Sequence, residues 1–111
     1  YGVVAPTPSI YEGMNFHTPA VYSASKSGLI GLIKWLASFL GEDNINVNCI
    51  SPGGVFNNQE KQFVTNLESR IPLKRMAKKD DINGIVDYLL SDQSNYANGH
   101  NFIIDGGYTI R

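Results

Sequence analysis

The chain has 111 residues, 42% of them hydrophobic, with a formal net charge of -1, one cysteine and two histidines. That length holds one domain and is too short for two, and the scattered basic residues, adjacent only at Lys74-Arg75 and Lys78-Lys79, exclude a nucleic-acid or anionic-membrane footprint. A lone Cys49 excludes an internal disulfide, so the composition points to a small neutral partner and a reducing, cytoplasmic compartment.

Residues 1–18, YGVVAPTPSIYEGMNFHT, show neither helical nor alternating periodicity and read as a long ordered loop of the kind that serves function. No charged n-region precedes Tyr1, and the turn at Gly2 opens with no element before it, so the sequence reads as a fragment. Thr18-Pro19 then offers a cap and a first-turn proline, and Gly41 a stop, which predicts a helix between them. Leu29, Leu32, Ile33, Leu36 and Leu40 form its apolar stripe; Ala24, Gly28 and Gly31 form a small-residue face beside Trp35 and Phe39, close enough in shape to admit a helix of a second subunit. The apolar run GLIGLIKWLASFL is broken by Lys34 and Ser38 and is too short to span a bilayer.

Residues 45–50, INVNCI, predict a buried strand that SPGG ends sharply. Residues 58–69 predict a short helix with Phe63, Val64 and Leu67 on one side, IPLKRM an irregular link, and Asp80 or Asp81 the cap of a helix through Ile82, Ile85, Val86, Tyr88, Leu89 and Leu90. NFIID is a second strand, closed by a DGG turn. Strands separated by helices imply parallel pairing, hence an α/β fold. Two strands cover little helix, so the rest of the sheet is expected from residues before Tyr1.

Tyr22 and Lys26 are four apart on the predicted helix and therefore share a face. An ammonium about 6 Å from a phenol, at an effective dielectric of roughly 20, favours the phenolate by on the order of 3 kcal/mol, about two pKa units. In bulk water the effect is about half a unit, so the pair makes an acid/base couple only in a partly dry pocket. Taken alone, the spacing suits a surface tyrosine with a snorkelling lysine better.

YSASK at 22–26, NVNCISPGGV at 46–55 and SDQSNYANGHNFIIDGG at 91–107 do not stand alone: in order and spacing they resemble the C-terminal half of the short-chain dehydrogenase/reductase family. The resemblance implies that residues 1–111 are the C-terminal portion of a single Rossmann-type, doubly wound domain binding NAD or NADP, with the N-terminal nucleotide-binding half missing. It makes Tyr22 the catalytic acid/base and Lys26 its partner, which also hydrogen-bonds the nicotinamide ribose. Pro52, Gly53 and Val55 would line the nicotinamide, and Asn57 stands where the family usually has a threonine that meets the cofactor. The family's serine is expected about two residues before Tyr1, with Ser9, thirteen before Tyr22, the weaker candidate.

The glycine-rich pyrophosphate loop, the residue that separates NAD from NADP and the family's active-site asparagine are all absent from the chain. Its loop and GGVFNNQEKQFVTNL further resemble bacterial oxidoreductases of flagellin modification and surface-sugar synthesis. That implies a small sugar-like substrate, for which Tyr11, Glu12, Asn15 and His17 offer contacts, and a homodimer or homotetramer. A non-catalytic dinucleotide sensor would often lack the tyrosine; an extended-branch epimerase or dehydratase would carry a larger C-terminal domain. His17 and His100 lack metal-ligand spacing, and Cys49 reads as a small buried hydrophobe.

Overall fold

Unbroken by proline after its first turn and rich in leucine, isoleucine and alanine, the longest apolar segment forms helix α1, Ala20–Leu40. The computed structural model describes residues 1–111 and continues with strand β1, Cys49–Pro52, helix α2, Lys61–Arg70, helix α3, Asn83–Leu89, and strand β2, Asn101–Ile104. β1 and β2 pair in parallel, with Cys49 opposite Asn101 and Pro52 opposite Ile104. The expected α/β fold with a parallel sheet is therefore present, and the opposite edge of β1 carries no strand.

Several boundaries differ from expectation. Gly41 keeps right-handed helical geometry and opens a short 3-10 turn; the left-handed residue that ends the helix is Asn44, at φ 61. Thr18 does not cap α1, because its hydroxyl is taken by Tyr11. Residues 45–48 are not paired as strand: Val47 N–H donates instead to the Asn98 side chain and Asn48 Nδ2 to the Ala97 carbonyl, so ladder pairing begins only at Cys49. The predicted helix at 58–69 starts later, at Lys61, and the segment at 82–90 splits into a 3-10 turn, Lys79–Ile82, followed by α3. Asp81 is the acid that receives the Lys78 backbone N–H, at 2.6 Å.

The link 71–76, expected to be irregular, supplies the core. Ile71 and Met76 are buried with Leu67 of α2 and with Ile10, which sits on a 3-10 turn, Pro8–Tyr11, inside the first loop. Apolar side chains on a turn can be buried when the turn's backbone is bonded elsewhere, and here Asn66 Nδ2 donates to the Ile10 carbonyl at 3.0 Å. On α1 the inward line runs through Ile30, Ile33, Ala37 and Leu40, while Leu29 and Leu32 join Trp35 and Phe39 in solvent, so the expected stripe is rotated.

The accessible surface is 7627 Å² for 12.2 kDa, whereas a closed monomer of that mass exposes roughly 6,100 Å². Much of the exposed apolar surface lies on α1, at Val21, Leu29, Leu32, Trp35 and Phe39.

Candidate active site

Between α1 and β1 lies a cavity of about 570 Å³, inside the range of roughly 300–1,000 Å³ typical of small-molecule sites. Tyr22 and Lys26 enter it from α1, and Pro52 and Gly53 from the end of β1. The structure thus brings four of the expected residues to one place.

Lys26 Nζ stands 5.4 Å from the Tyr22 ring centroid, over its face, where the ring quadrupole attracts a cation. The shared face expected from the i, i+4 spacing is present. The seclusion is not: Tyr22 is 44% exposed, so residues 1–111 alone do not form the dry pocket that an acid/base couple needs.

The N-terminal segment fixes the lysine's turn. Ser27 Oγ donates to the Gly2 carbonyl at 3.0 Å, and a Cβ on Gly2 would stand 2.8 Å from the Lys26 carbonyl carbon. Only glycine lets the chain cross α1 so closely. At the other wall, a Cβ on Gly53 would meet the Asp105 Cα at 2.8 Å, so the end of β1 rests directly on the turn after β2. Asp105 holds that turn by accepting the Gly107 and Thr109 backbone N–H groups, each at 2.8 Å. Burial pushes its carboxyl up, but the hydrogen bonds from Thr109 and Gly107 outweigh it and hold the group below the usual carboxylate range. DGG is a turn, as its residues suggest.

Val55 and Asn57 do not line the cavity. Val55 bridges to Ala77, and Asn57 donates its backbone N–H to Gln59 Oε1 at 2.7 Å while Gln59 Nε2 clasps the Val55 carbonyl at 2.8 Å. Ser9 also lies off the cavity, its hydroxyl taken by Arg70 Nη2 at 2.6 Å. Of the loop residues, Tyr11 reaches the cavity and Glu12, Asn15 and His17 stay in solvent outside it. Cys49 is half-buried on the wall, with Sγ donating to Asn101 Oδ1 at 3.0 Å, which corrects its reading as a buried hydrophobe.

Tyr1, Thr18, Ser51, Tyr108 and Thr109 also face the cavity and were not anticipated from their spacing. Tyr108 could not have been: its hydroxyl meets Thr7 Oγ1 at 2.9 Å across 101 residues of chain. Burial, reinforced by the hydroxyls of Tyr11 and Tyr108, pushes the Tyr1 phenol above its ordinary value, so it stays protonated and neutral.

Residues 3–109 match the family described as enoyl-(acyl carrier protein) reductase. Post-translational flagellin modification protein A of Campylobacter coli is 35% identical over 109 residues, 98% of this chain and 43% of its own length. D-arabinitol 2-dehydrogenase (ribulose-forming) of Candida tropicalis is 40% identical over 96 residues, covering 79% of this chain and 34% of its own. Among solved structures, a short chain dehydrogenase from Leptospira borgpetersenii with bound NAD+ superposes with a TM-score of 0.90 at 42% identity, over 97% of this chain and 41% of that one. The chain therefore spans less than half the length of the relatives it matches. With the parallel α/β architecture, the joined Tyr22–Lys26 pair and these likenesses agreeing, the chain belongs to the short-chain dehydrogenase/reductase family of Rossmann-fold oxidoreductases.

Proposed function

We propose that residues 1–111 are the C-terminal portion of a single NAD(P)-binding Rossmann-type domain. The complete protein then interconverts a hydroxyl and a carbonyl by hydride transfer on a sugar-like substrate. One observation carries this reading: Tyr22, Lys26 and the Pro52-Gly53 end of β1 share a single cavity of substrate size. Support also comes from the relatives, one a polyol dehydrogenase by name and one a structure holding NAD+.

The walls suit one end of the cofactor. Ile50 and Pro52 offer apolar surface to a flat ring, and Ser51 and Lys26 offer donors to a ribose, but Lys26 is the only cation among them, so a pyrophosphate needs partners elsewhere in the protein. When bound, the nicotinamide supplies the hydride acceptor or donor. Tyr22 Oη passes the proton to or from the substrate oxygen; Lys26 positions the ribose and stabilises the phenolate form once the pocket is closed. Val55 and Asn57, on the loop directly beyond Gly53, are the further residues proposed to contact the nicotinamide, Val55 through its backbone. The exposed face of α1 supports a homodimer or homotetramer, in which a second copy covers Trp35 and Phe39.

Tyr22→Phe in the complete protein tests the reading. Removing a general acid/base lowers the steady-state rate of NAD(P)-linked alcohol oxidation by about 10²- to 10⁴-fold. An unchanged rate would remove Tyr22 from the chemistry.

A further inference from the structure

Besides Tyr22, the cavity is walled by a cluster of hydroxyl groups. Tyr11 OH bonds Thr18 Oγ1 and lies 3.4 Å from Tyr1 OH, and Tyr108 OH bonds Thr7 Oγ1 at 2.9 Å. Tyr1, Tyr11, Thr18 and Tyr108 all face the cavity, and Thr7 stands behind Tyr108.

These five hydroxyls carry five protons and share three contacts, so three protons are engaged and two remain, while most of the oxygen lone pairs stay free. The wall is therefore richer in acceptors than in donors. Its hydroxyls are uncharged, since the raised Tyr1 phenol stays protonated, and Asp105, the only carboxylate on the cavity, remains an anion with both oxygens engaged by backbone N–H groups, which further disfavours a second negative charge. Lys26 is the sole cation. An anionic group, which only accepts, finds little on such a wall; a ligand bearing several hydroxyls can donate into it and accept from what is left.

The rings are held in place. Tyr11 packs on Phe16 at 5.8 Å and on Phe63 at 5.9 Å between centroids, and Tyr1 meets Tyr108 edge-on at 6.5 Å. Aromatic faces beside hydroxyls suit a ring or chain that is apolar on its C–H side and polar at its edge.

From this arrangement, and resting on the oxidoreductase reading, we infer that Tyr1, Tyr11, Thr18 and Tyr108 are the specificity wall of the site and select a neutral polyhydroxylated substrate over its phosphorylated form and over a simple secondary alcohol.

Binding to the complete protein, measured by calorimetry with arabinitol, arabinitol 5-phosphate and cyclohexanol, tests this. Arabinitol binds tightest of the three. Tyr11→Phe and Tyr108→Phe, which each remove one oxygen and keep the ring, weaken arabinitol about 2- to 12-fold, the range for a single hydrogen bond, and leave cyclohexanol within about 2-fold. If Tyr11→Phe fails to fold, Thr18→Val removes the neighbouring hydroxyl of the same chain of contacts. Tighter binding of the phosphate ester, no arabinitol binding, or Phe variants that leave arabinitol unchanged would overturn the inference. Tyr22→Phe separates the two readings: with the wall in place it still binds arabinitol while turnover is lost, whereas retained turnover would sink the catalytic assignment and leave the binding result standing.

Discussion

The two ends of the cavity are built to different degrees of completion. Around α2, the side chains of Ile10, Leu67, Ile71 and Met76 close a small core, and Glu68 Oε1 accepts the Met76 backbone N–H at 3.1 Å to hold the link against the helix. Along α1, 21 residues long, only Ala37 is buried. Composition does not explain this, since α1 is the more apolar of the two. The difference is in what lies opposite. The α2 region folds onto the first loop, the link and the turn after β2, all within the chain. The outer face of α1, with Val21, Leu29, Leu32, Trp35 and Phe39 exposed, has nothing within residues 1–111 packed over it. Catalysis in this family's manner needs Tyr22 dry, and Tyr22 sits on the unfinished side.

The closed side breaks most sharply at Ile71, which is 2% exposed. Ile71→Ala in the complete protein leaves a cavity among packed neighbours and costs about 2–5 kcal/mol, read as a lower urea midpoint at unchanged slope. Next comes Gly106→Ala. Gly106 has φ 65, and a Cβ there would lie 2.8 Å from Ile71 Cγ2. A left-handed alanine costs about 1–2 kcal/mol and overpacking about 1–3, so a loss of about 2–5 kcal/mol is expected in the same experiment. Losses below about 1 kcal/mol at both positions would mean that this side is no better packed than α1.

How much of this contrast is visible in the residues depends on range. The helices, the parallel pairing and the Tyr22–Lys26 face follow from local periodicity and i, i+4 geometry, and they are present. The link 71–76 looked irregular because its Ile and Met carry no period; their burial depends on Ile10, some sixty residues earlier. Helix ends shifted by a few residues where a competing partner won, as when Tyr11 takes the Thr18 hydroxyl that would have capped α1. Residues 45–48 have strand composition, but Asn46, Asn48 and Asn98 draw the backbone into side-chain bonds first. Tyr1 and Tyr108 meet only through the fold, and no spacing rule reaches across 101 residues to pair Thr7 with Tyr108.

A smaller effect, still on the closed side, is expected at low pH. Arg75 grips Asp81 through Nη1 at 2.6 Å and Nη2 at 3.0 Å, and the Lys78 N–H adds a third bond. The Arg75 hydrogen bonds, then the Lys78 backbone, hold the Asp81 carboxyl at about 2 against an ordinary 3.8. The folded value is the lower one, so the unfolded chain takes up the proton more readily. The pair therefore contributes its full stability above about pH 4 and loses it as pH falls from there to about 2. Both side chains face water, which keeps the contribution modest and sensitive to salt. Asp81→Asn should lower the melting temperature slightly at pH 6 and flatten its fall between pH 4 and 2. Asp105, whose carboxyl is also held low, supplies the acid slope that remains.

The smallest effect belongs to the open side, and there the comparison is sharpest. Trp35 stacks on Phe39, with centroids 4.9 Å apart and planes 10° from parallel, and remains 58% exposed. Truncating an exposed side chain removes little that water does not replace. Trp35→Ala should therefore shift the stability of the dissociated protein by no more than about 0.5 kcal/mol, measured by denaturation at high dilution. Once a second copy covers the face, the same tryptophan becomes a buried aromatic anchor, whose truncation typically costs about 2 kcal/mol or more of association. The wild-type melting temperature should then rise with protein concentration, and that dependence should weaken in Trp35→Ala. If wild type and variant melt alike at every concentration, no subunit covers α1 at Trp35. The exposed Trp35–Phe39 pair is then a solvent-facing stack and not an association surface.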